Sequence, residues 1–305
     1  MDISQNEIAD KIELLKSSFL LQGIVRDQLF ETLADFSDFH NYGVYDLVWD
    51  YAGKDHKIPF SIIERGCIAV VDKRSEDGDE NIIDALLMSK QLFGEFQLLD
   101  ASLPKNIELL AFSKTRVLSL NPEFEDLMTS AEKVIFYKNL AFSIFQKIKL
   151  SNVQLRLRSM TGVPWKLAEY LNLLYRKEIW RSILRRNKNN KFNVDIYWKI
   201  LSFSQFLACD DRRLALALIA FQEMNVGNIE WFDRDLKIIP DVQSDEIYNI
   251  RNIDKRLNKT SFFKLKNIDR SRLRELPEVK LNDIESRFKK VPNKKKDNRS
   301  GKNTI

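Results

Sequence analysis

Apolar residues recur at helical spacing from the start of the chain: Ile8, Ile12 and Leu15, then Leu20, Leu21, Val25, Leu29 and Leu33, so residues 5–37 read as helical. From His40 to about Pro122 the pattern changes to short runs rich in strand formers: Tyr45–Trp49, Phe60–Ile63, Cys67–Val71, Ile82–Leu87, Leu109–Phe112 and Val117–Leu120. Gly43, Gly53, Gly66 and Asp77-Gly78-Asp79 punctuate them, and short strands at this spacing predict a roll or sandwich of two small sheets. Asn121-Pro122 then opens a helical stretch to about Met160, with proline near a first turn where its missing N–H has no intrahelical partner. Leu140, Ile144 and Ile148 repeat on one face of it, and Leu155 returns to that face. Such a stripe on so long a helix either meets a partner helix or docks on its own domain.

Val163–Arg186 reads as a second helical unit, its faces marked by Trp165, Leu167, Leu171, Leu174 and Ile179, and residues 185–191 as a polar loop. A short strand over Phe192–Tyr197, helices over Ser204–Cys209 and Asp211–Asn225, and a hairpin of Ile229–Trp231 with Leu236–Ile239 follow. Helices leading into a small hairpin is the order of a winged helix-turn-helix. Beyond Pro240 the helical signals are weak, and the Lys- and Asn-rich stretch Asn293–Ile305 reads as disordered.

Composition narrows the classes. With 44% hydrophobic and 30% charged residues over 305 positions, the chain is an ordinary globular one. Its longest apolar run, Leu214–Phe221, falls far short of a membrane span, and residues 1–16 lack the basic lead and apolar core of a secretory signal, so a cytoplasmic protein with no membrane partner is expected. Cys67, Cys209, His40 and His56 form no metal-ligand or disulfide pattern, so zinc, iron–sulfur and haem readings have little support. There is no GxSxG and no phosphate-binding GxxxxGK[ST], and residues 160–305 carry no catalytic motif, so nothing recommends an enzyme.

Charge is divided unevenly. Residues 1–150 carry 16 basic and 25 acidic side chains, residues 151–200 carry 11 and 3, residues 201–250 carry 4 and 9, and residues 251–305 carry 18 and 7. An acidic first half followed by basic stretches suits either a polyanionic partner, nucleic acid before membrane, or a merely solubilising tail.

Two motifs make the pattern more specific. Phe60 through Val70, with Gly66 at its centre, resembles the strand–Gly–strand turn of cyclic-nucleotide-binding domains, and Leu92-Phe93-Gly94-Glu95-Phe96 resembles their phosphate-binding cassette. With the order roll, long helix, winged helix, the chain to about residue 241 resembles the Crp/Fnr family of bacterial transcription regulators. The blocks Gly94–Leu120 and Leu140–Arg176 take the family pattern without a gap. The resemblance implies an α+β fold: a cyclic-nucleotide-binding-type β-roll as effector-sensing domain over 1–125, a dimerisation helix over 126–160, a winged helix-turn-helix over 161–241, and a basic, partly disordered extension over 242–305. It implies a non-enzymatic regulator that binds double-stranded DNA as a homodimer, with RNA polymerase as a further candidate partner. Leu140, Ile144, Ile148 and Leu155 would form the dimer interface.

In the family cassette the glutamate accepts from a ribose hydroxyl, while an arginine and a following hydroxyl residue grip the cyclic phosphate. Here Gly94 and Glu95 are kept, but Lys105 and Asn106 occupy the later positions, and lysine lacks the planar fork of arginine. A cyclic nucleotide, another small effector, or none therefore stay open, and Glu95 on its own could simply satisfy backbone N–H groups. Ser151 and Asn152 stand where the family helix reaches the bound base. For DNA, the resemblance points to Ser204 and Gln205 on the first helix and to Arg212 and Arg213 opening the recognition helix. Leu214–Phe221 is apolar where a reading helix shows a polar face, so these arginines either read bases or flank a buried helix capped by Asp210 and Asp211. Lys166, Arg176, Lys177, Arg181, Arg185 and Arg186 are further candidates for phosphate contacts. The rival reading is a degenerate roll that serves as a protein-interaction or scaffold module, without sequence-specific DNA binding.

Overall fold

The structure, a computed structural model, describes residues 3–50, 60–73, 82–95, 106–121, 123–176, 184–186, 191–250, 257 and 261–289. The N-terminal helical stretch is broken into α1 (Ile3–Ser17), a 3-10 turn over Phe19–Leu21, and α2 (Asp27–Asp35). Ser18 caps the 3-10 turn through Leu20 N–H, and Gly23 at φ 95° carries the chain away before α2. The same face of both helices is buried, through Leu14, Leu15, Leu29, Phe30 and Leu33.

Among the described residues eight strands then build two antiparallel sheets: β1 (Ser37–Tyr42), β2 (Leu47–Asp50), β3 (Phe60–Arg65), β4 (Cys67–Asp72), β5 (Ile82–Met88), β6 (Leu92–Phe93), β7 (Ile107–Ala111) and β8 (Thr115–Leu120). One sheet runs β1-β8-β3-β6 and the other β2-β7-β4-β5. Each expected strand run overlaps one of these elements, with Tyr45, Asp46 and Phe112 left outside them and with β1 and β6 in addition. Gly66 joins β3 to β4 at φ 101°, and a Cβ there would lie 2.7 Å from the Thr115 Cα, so the turn requires glycine.

The long helix α3 (Ser130–Ser159) starts later than Asn121-Pro122 suggested. Residues 124–127 form a 3-10 turn, and the helix begins where Thr129 and Glu132 make a reciprocal capping box. Pro122 lies outside the described residues. Glu132 also accepts from Arg26 Nε at 2.9 Å and Nη2 at 2.8 Å, while Arg26 reaches the Leu127 carbonyl at 2.7 Å. The inner face, Phe136 and Leu140, joins Leu15, Leu33, Phe60 and Phe124 in the roll core.

The next helix, α4 (Val163–Arg176), is shorter than the expected 163–186; residues 184–186 are instead strand β9 (Leu184–Arg186), paired with β10 (Lys191–Val194). The expected strand over Phe192–Tyr197 is realised in β10 as far as Val194, and β11 (Trp198–Lys199) lies beyond that run; α5 (Ile200–Leu207), α6 (Asp211–Glu223), β12 (Asn228–Phe232) and β13 (Ile238–Ile239) then follow in the expected order. The weak signals beyond Pro240 conceal real structure: α7 (Ser244–Tyr248), β14 (Phe262–Lys266), β15 (Ile268–Asp269) and α8 (Leu281–Lys289). β14 lies between β11 and β12 in a four-stranded sheet, and β15 completes a sheet with β10 and β9. A C-terminal unit ending at residue 241 therefore stops short of its own central strand, because Phe263, Leu265, Leu273, Leu276 and Ile284 belong to its core. Residues 290–305, including the stretch expected to be disordered, lie outside the described residues.

The two halves share this core. Phe112 of the roll stacks on Tyr45 at 4.7 Å and meets Trp198 edge-on at 5.3 Å, and Tyr197 N–H donates to the Phe112 carbonyl at 2.9 Å. Among the described residues no helix is long and apolar enough to cross a membrane.

The Arg26–Glu132 pair yields a pH prediction. Burial alone would raise the Glu132 pKa, but hydrogen bonds from Thr129 and Arg26 bring it below the ordinary value. A carboxyl depressed in the folded state stabilises above its unfolded pKa and loses that contribution as pH falls through the folded one. Glu132→Gln should lower stability at neutral pH by about 1–2 kcal/mol, discounted for the half-exposed arginine, and should flatten the acid limb of urea-unfolding stability against pH.

Candidate effector cavity and helix-turn-helix

The cassette begins where β6 leaves β3. Ile63 N–H donates to the Gln91 carbonyl at 2.9 Å, and the Gln91 side chain accepts from Met88 N–H at 2.6 Å, which fixes the turn before β6. Gly94 at φ 87° then swings the chain inward and buries Glu95. One Glu95 oxygen takes the Lys147 ammonium of α3, and the other is buried without a hydrogen-bond partner among the described residues.

Around this pair lies a cavity of about 470 Å³ between β4, β5, β7 and α3. Leu86, Leu87, Phe93 and Leu109 line its roll side, and Ile144, Ile148, Ser151, Asn152 and Gln154 its helix side. Of the expected effector residues, Gly94, Glu95, Ser151 and Asn152 come together here. Lys105 lies outside the described residues. Asn106 is exposed beside β7, its carbonyl taken by Lys73 N–H at 2.7 Å, and it does not line the cavity. Sequence reasoning missed Lys147 and Gln154. Lys147 could have been found from its register: it sits three residues after Ile144 and four before Ser151, on the face turned toward Glu95.

The expected interface residues separate. Leu140 is buried in the protomer's own core and Ile144 packs partly against it, whereas Ile148 and Leu155 are 54% and 59% exposed. Val134, Ala141, Ile148 and Leu155 are exposed at a spacing of seven, with Tyr137 and Phe145 exposed between them.

In the C-terminal half, α5 ends at Ala208 in left-handed conformation (φ 47°), and Asp210 caps α6 by accepting from the N–H groups of Arg212 at 3.0 Å and Arg213 at 3.1 Å. Ser204 is buried and donates to the Leu201 carbonyl at 2.8 Å; Gln205 is half-buried. Arg212 is exposed but tied, pairing with Glu285 of α8 at 2.8 Å and with the Tyr248 hydroxyl of α7. Arg213 is exposed. Leu214–Phe221 is buried throughout, because α7 and α8 pack on α6. Arg287 pairs with Glu223 at 2.7 Å, and Phe288 stacks on Tyr248 at 4.6 Å. This explains the apolar run: α6 is covered by α7 and by α8, whose Arg287 lies 64 positions from its partner Glu223.

Lys166, expected at a phosphate, is buried. Its ammonium donates to the carbonyls of Arg158, Leu207 and Ala208, each at 2.8 Å, joining the end of α3 to the end of α5, and burial lowers its pKa. Arg176 is exposed; Lys177 and Arg181, and the side chains of Arg185 and Arg186, lie outside what is described. Among the described residues no group of three metal-binding side chains converges. Burial pushes the Cys209 thiol up to about 12 and the Cys67 thiol further, so neither presents a thiolate near neutral pH.

No family model matches the sequence, and no curated protein matches it. Solved structures do. A transcriptional regulator of the CRP/FNR family from Thermus thermophilus is similar over 79% of this chain and 99% of its own, with a TM-score of 0.50 and 12% identity. FixK2 from Bradyrhizobium japonicum covers 80% and 98%, with a TM-score of 0.51 and 11% identity. The c-di-GMP responsive global regulator CLP of Xanthomonas campestris covers 70% and 97%, again at 0.51 and 11%. The chain shares their fold, a cyclic-nucleotide-binding-type β-roll followed by a helix-turn-helix domain.

Replacing Lys166 tests the clamp between α3 and α5. Lys166→Met removes the donor from three carbonyls and should cost about 1–3 kcal/mol in urea unfolding, where loss of an exposed phosphate-contacting lysine would cost almost nothing.

Proposed function

We propose that this chain is a DNA-binding transcription regulator of the CRP/FNR type, non-enzymatic and active as a homodimer. The observation that carries this reading is the fold it shares with such regulators over nearly their whole length. The β-roll is the sensing domain, and α5, α6 and the β12–β13 wing form a winged helix-turn-helix that docks on DNA. The exposed seam of α3, with Val134, Ala141, Ile148 and Leu155 at coiled-coil spacing, supports pairing with a second copy. An effector in the cavity touches Ile148, which also lies on that seam, so it favours one dimer geometry over another and shifts the DNA-competent population. Arg213 at the head of α6, with Arg234 and Lys237 on the wing, supplies exposed cations for base edges and phosphates.

A second reading, a protein-interaction module, is favoured by one observation: α6 is covered by α7 and α8, and Arg212 is held by Glu285.

Selection of bound fragments from sheared genomic DNA, at physiological salt with excess competitor, separates the two. The regulator reading expects an inverted repeat whose half-sites are about one helical turn apart, with retention lost in Arg213→Ala. Uniform or absent retention, with and without cell extract, favours the interaction module. The pair Ile148→Asp and Leu155→Asp should move elution at micromolar concentration from the two-chain to the one-chain volume; an unchanged volume would remove α3 as the interface.

A further inference from the structure

We infer that the cavity between the roll and α3 takes an apolar small molecule bearing one hydrogen-bond-donating head, an amine or a hydroxyl, rather than a nucleotide. This deepens the regulator reading and rests on it for its biological role. The cavity volume of about 470 Å³ is that of a small-ligand site, and its walls are aliphatic and aromatic: Leu86, Leu87, Phe93, Leu109, Ile144 and Ile148.

Beside these walls stand Lys147, Ser151 and Asn152, and two buried acceptors whose needs are unmet. Glu95 is only 3% exposed and Gln154 8%, and among the described residues neither Glu95 Oε2 nor Gln154 Oε1 has a hydrogen-bond partner. A buried acceptor without a donor is costly, and an ionised carboxylate can only accept. A ligand N–H or O–H at Glu95 Oε2 satisfies that atom without disturbing the bond between Lys147 and the other oxygen. An anionic phosphate finds the opposite situation. Lys147 is the cation among the described lining residues, and it is already paired with Glu95, so a phosphate would have to break that pair or lie against the carboxylate. A small amphipathic molecule therefore matches the walls and the head group together, and its apolar body covers Ile144 and Ile148.

The test uses the full chain and N-phenyl-1-naphthylamine, a neutral apolar fluorophore with one N–H, whose emission rises in dry surroundings. The expected result is saturable binding of one dye per chain, abolished in Leu86→Trp, which fills the cavity, and no displacement by millimolar cyclic AMP or cyclic GMP. The ether isostere 1-phenoxynaphthalene, which lacks the donor, should compete at least about tenfold more weakly than the amine. Hydrogen exchange of the unsubstituted protein with dye bound should protect Leu86–Glu95 and Ile144–Gln154, a readout that stands if Leu86→Trp fails to fold. Displacement of the dye by micromolar cyclic nucleotide, equal competition by the ether, or protection elsewhere in the chain would each overturn the inference. DNA retention is measured on separate samples, so its loss with dye binding intact strikes the regulator reading and leaves this one standing.

Discussion

A helix of thirty residues with apolar side chains on more than one face cannot stand by itself in water, and this constraint organises the whole chain. The inner face of α3 is taken by its own roll through Phe136 and Leu140, and charge fastens the rest. Arg26 holds the first turn through Glu132, Lys147 meets Glu95 in the middle, and Arg158 near the end donates to the carbonyls of Ile83 in the roll and Phe206 in α5. Lys166 then ties that end to the helix-turn-helix. Each fastening reaches a carbonyl or carboxylate already set by secondary structure, so the helix direction is fixed by geometry rather than by generic apolar contact. On the outer face Val134, Ile148 and Leu155 stay more than half exposed.

The same economy joins the halves. Tyr45, Phe112, Trp198, Phe203 and Phe206 form one aromatic cluster across the junction, and Lys199 N–H donates to the Tyr45 hydroxyl at 3.2 Å. Prising the roll from the C-terminal half would return these rings to water, at about 25 cal/mol per Å² of apolar surface. Within a protomer the halves are thus one packed body, and the free surface lies on the seam of α3. That places an effector's leverage where cavity and seam meet, at Ile148.

Much of this was legible in the sequence where local pattern and tertiary role agree. The short runs of strand formers in β3, β4, β5 and β8 are mostly buried, so local composition finds them; Gly66 marks its own turn. Legibility fails where a role is set by a distant residue. β1, written Ser-Asp-Phe-His-Asn-Tyr, becomes a strand because β8 offers it a ladder from Ser37 to Tyr42. β14 was hidden by lysines that look like surface charge, yet Lys264 is buried against Asp195 and over the Tyr197 ring. The stripe Leu140–Ile144–Ile148–Leu155 was visible as a stripe, but which members face inward depends on where the roll sits. In the cavity, Glu95 was legible from its motif, while its partner Lys147 lies 52 positions away.

Charge shows the same effect most sharply. The basic count of residues 251–305 suggests a surface awaiting a polyanion, but the fold uses part of it internally: Lys264 on Asp195, Lys266 on Glu230, Arg287 on Glu223. Arg212, the first basic residue of α6, is likewise engaged by Glu285. A cation already paired and partly desolvated releases fewer counterions on meeting a phosphate than an exposed one, so its share of the salt-dependent affinity is smaller. The exposed cations are a different set, Arg213 and Lys237 around the helix-turn-helix and Arg176, Arg270 and Arg274 beside it, with Lys237 lying 3.9 Å from Asp235 on the wing. Net charge read along a sequence counts all of these alike; which of them a partner meets is decided by the acidic residues the fold brings against them, Asp195, Glu223, Glu230 and Glu285.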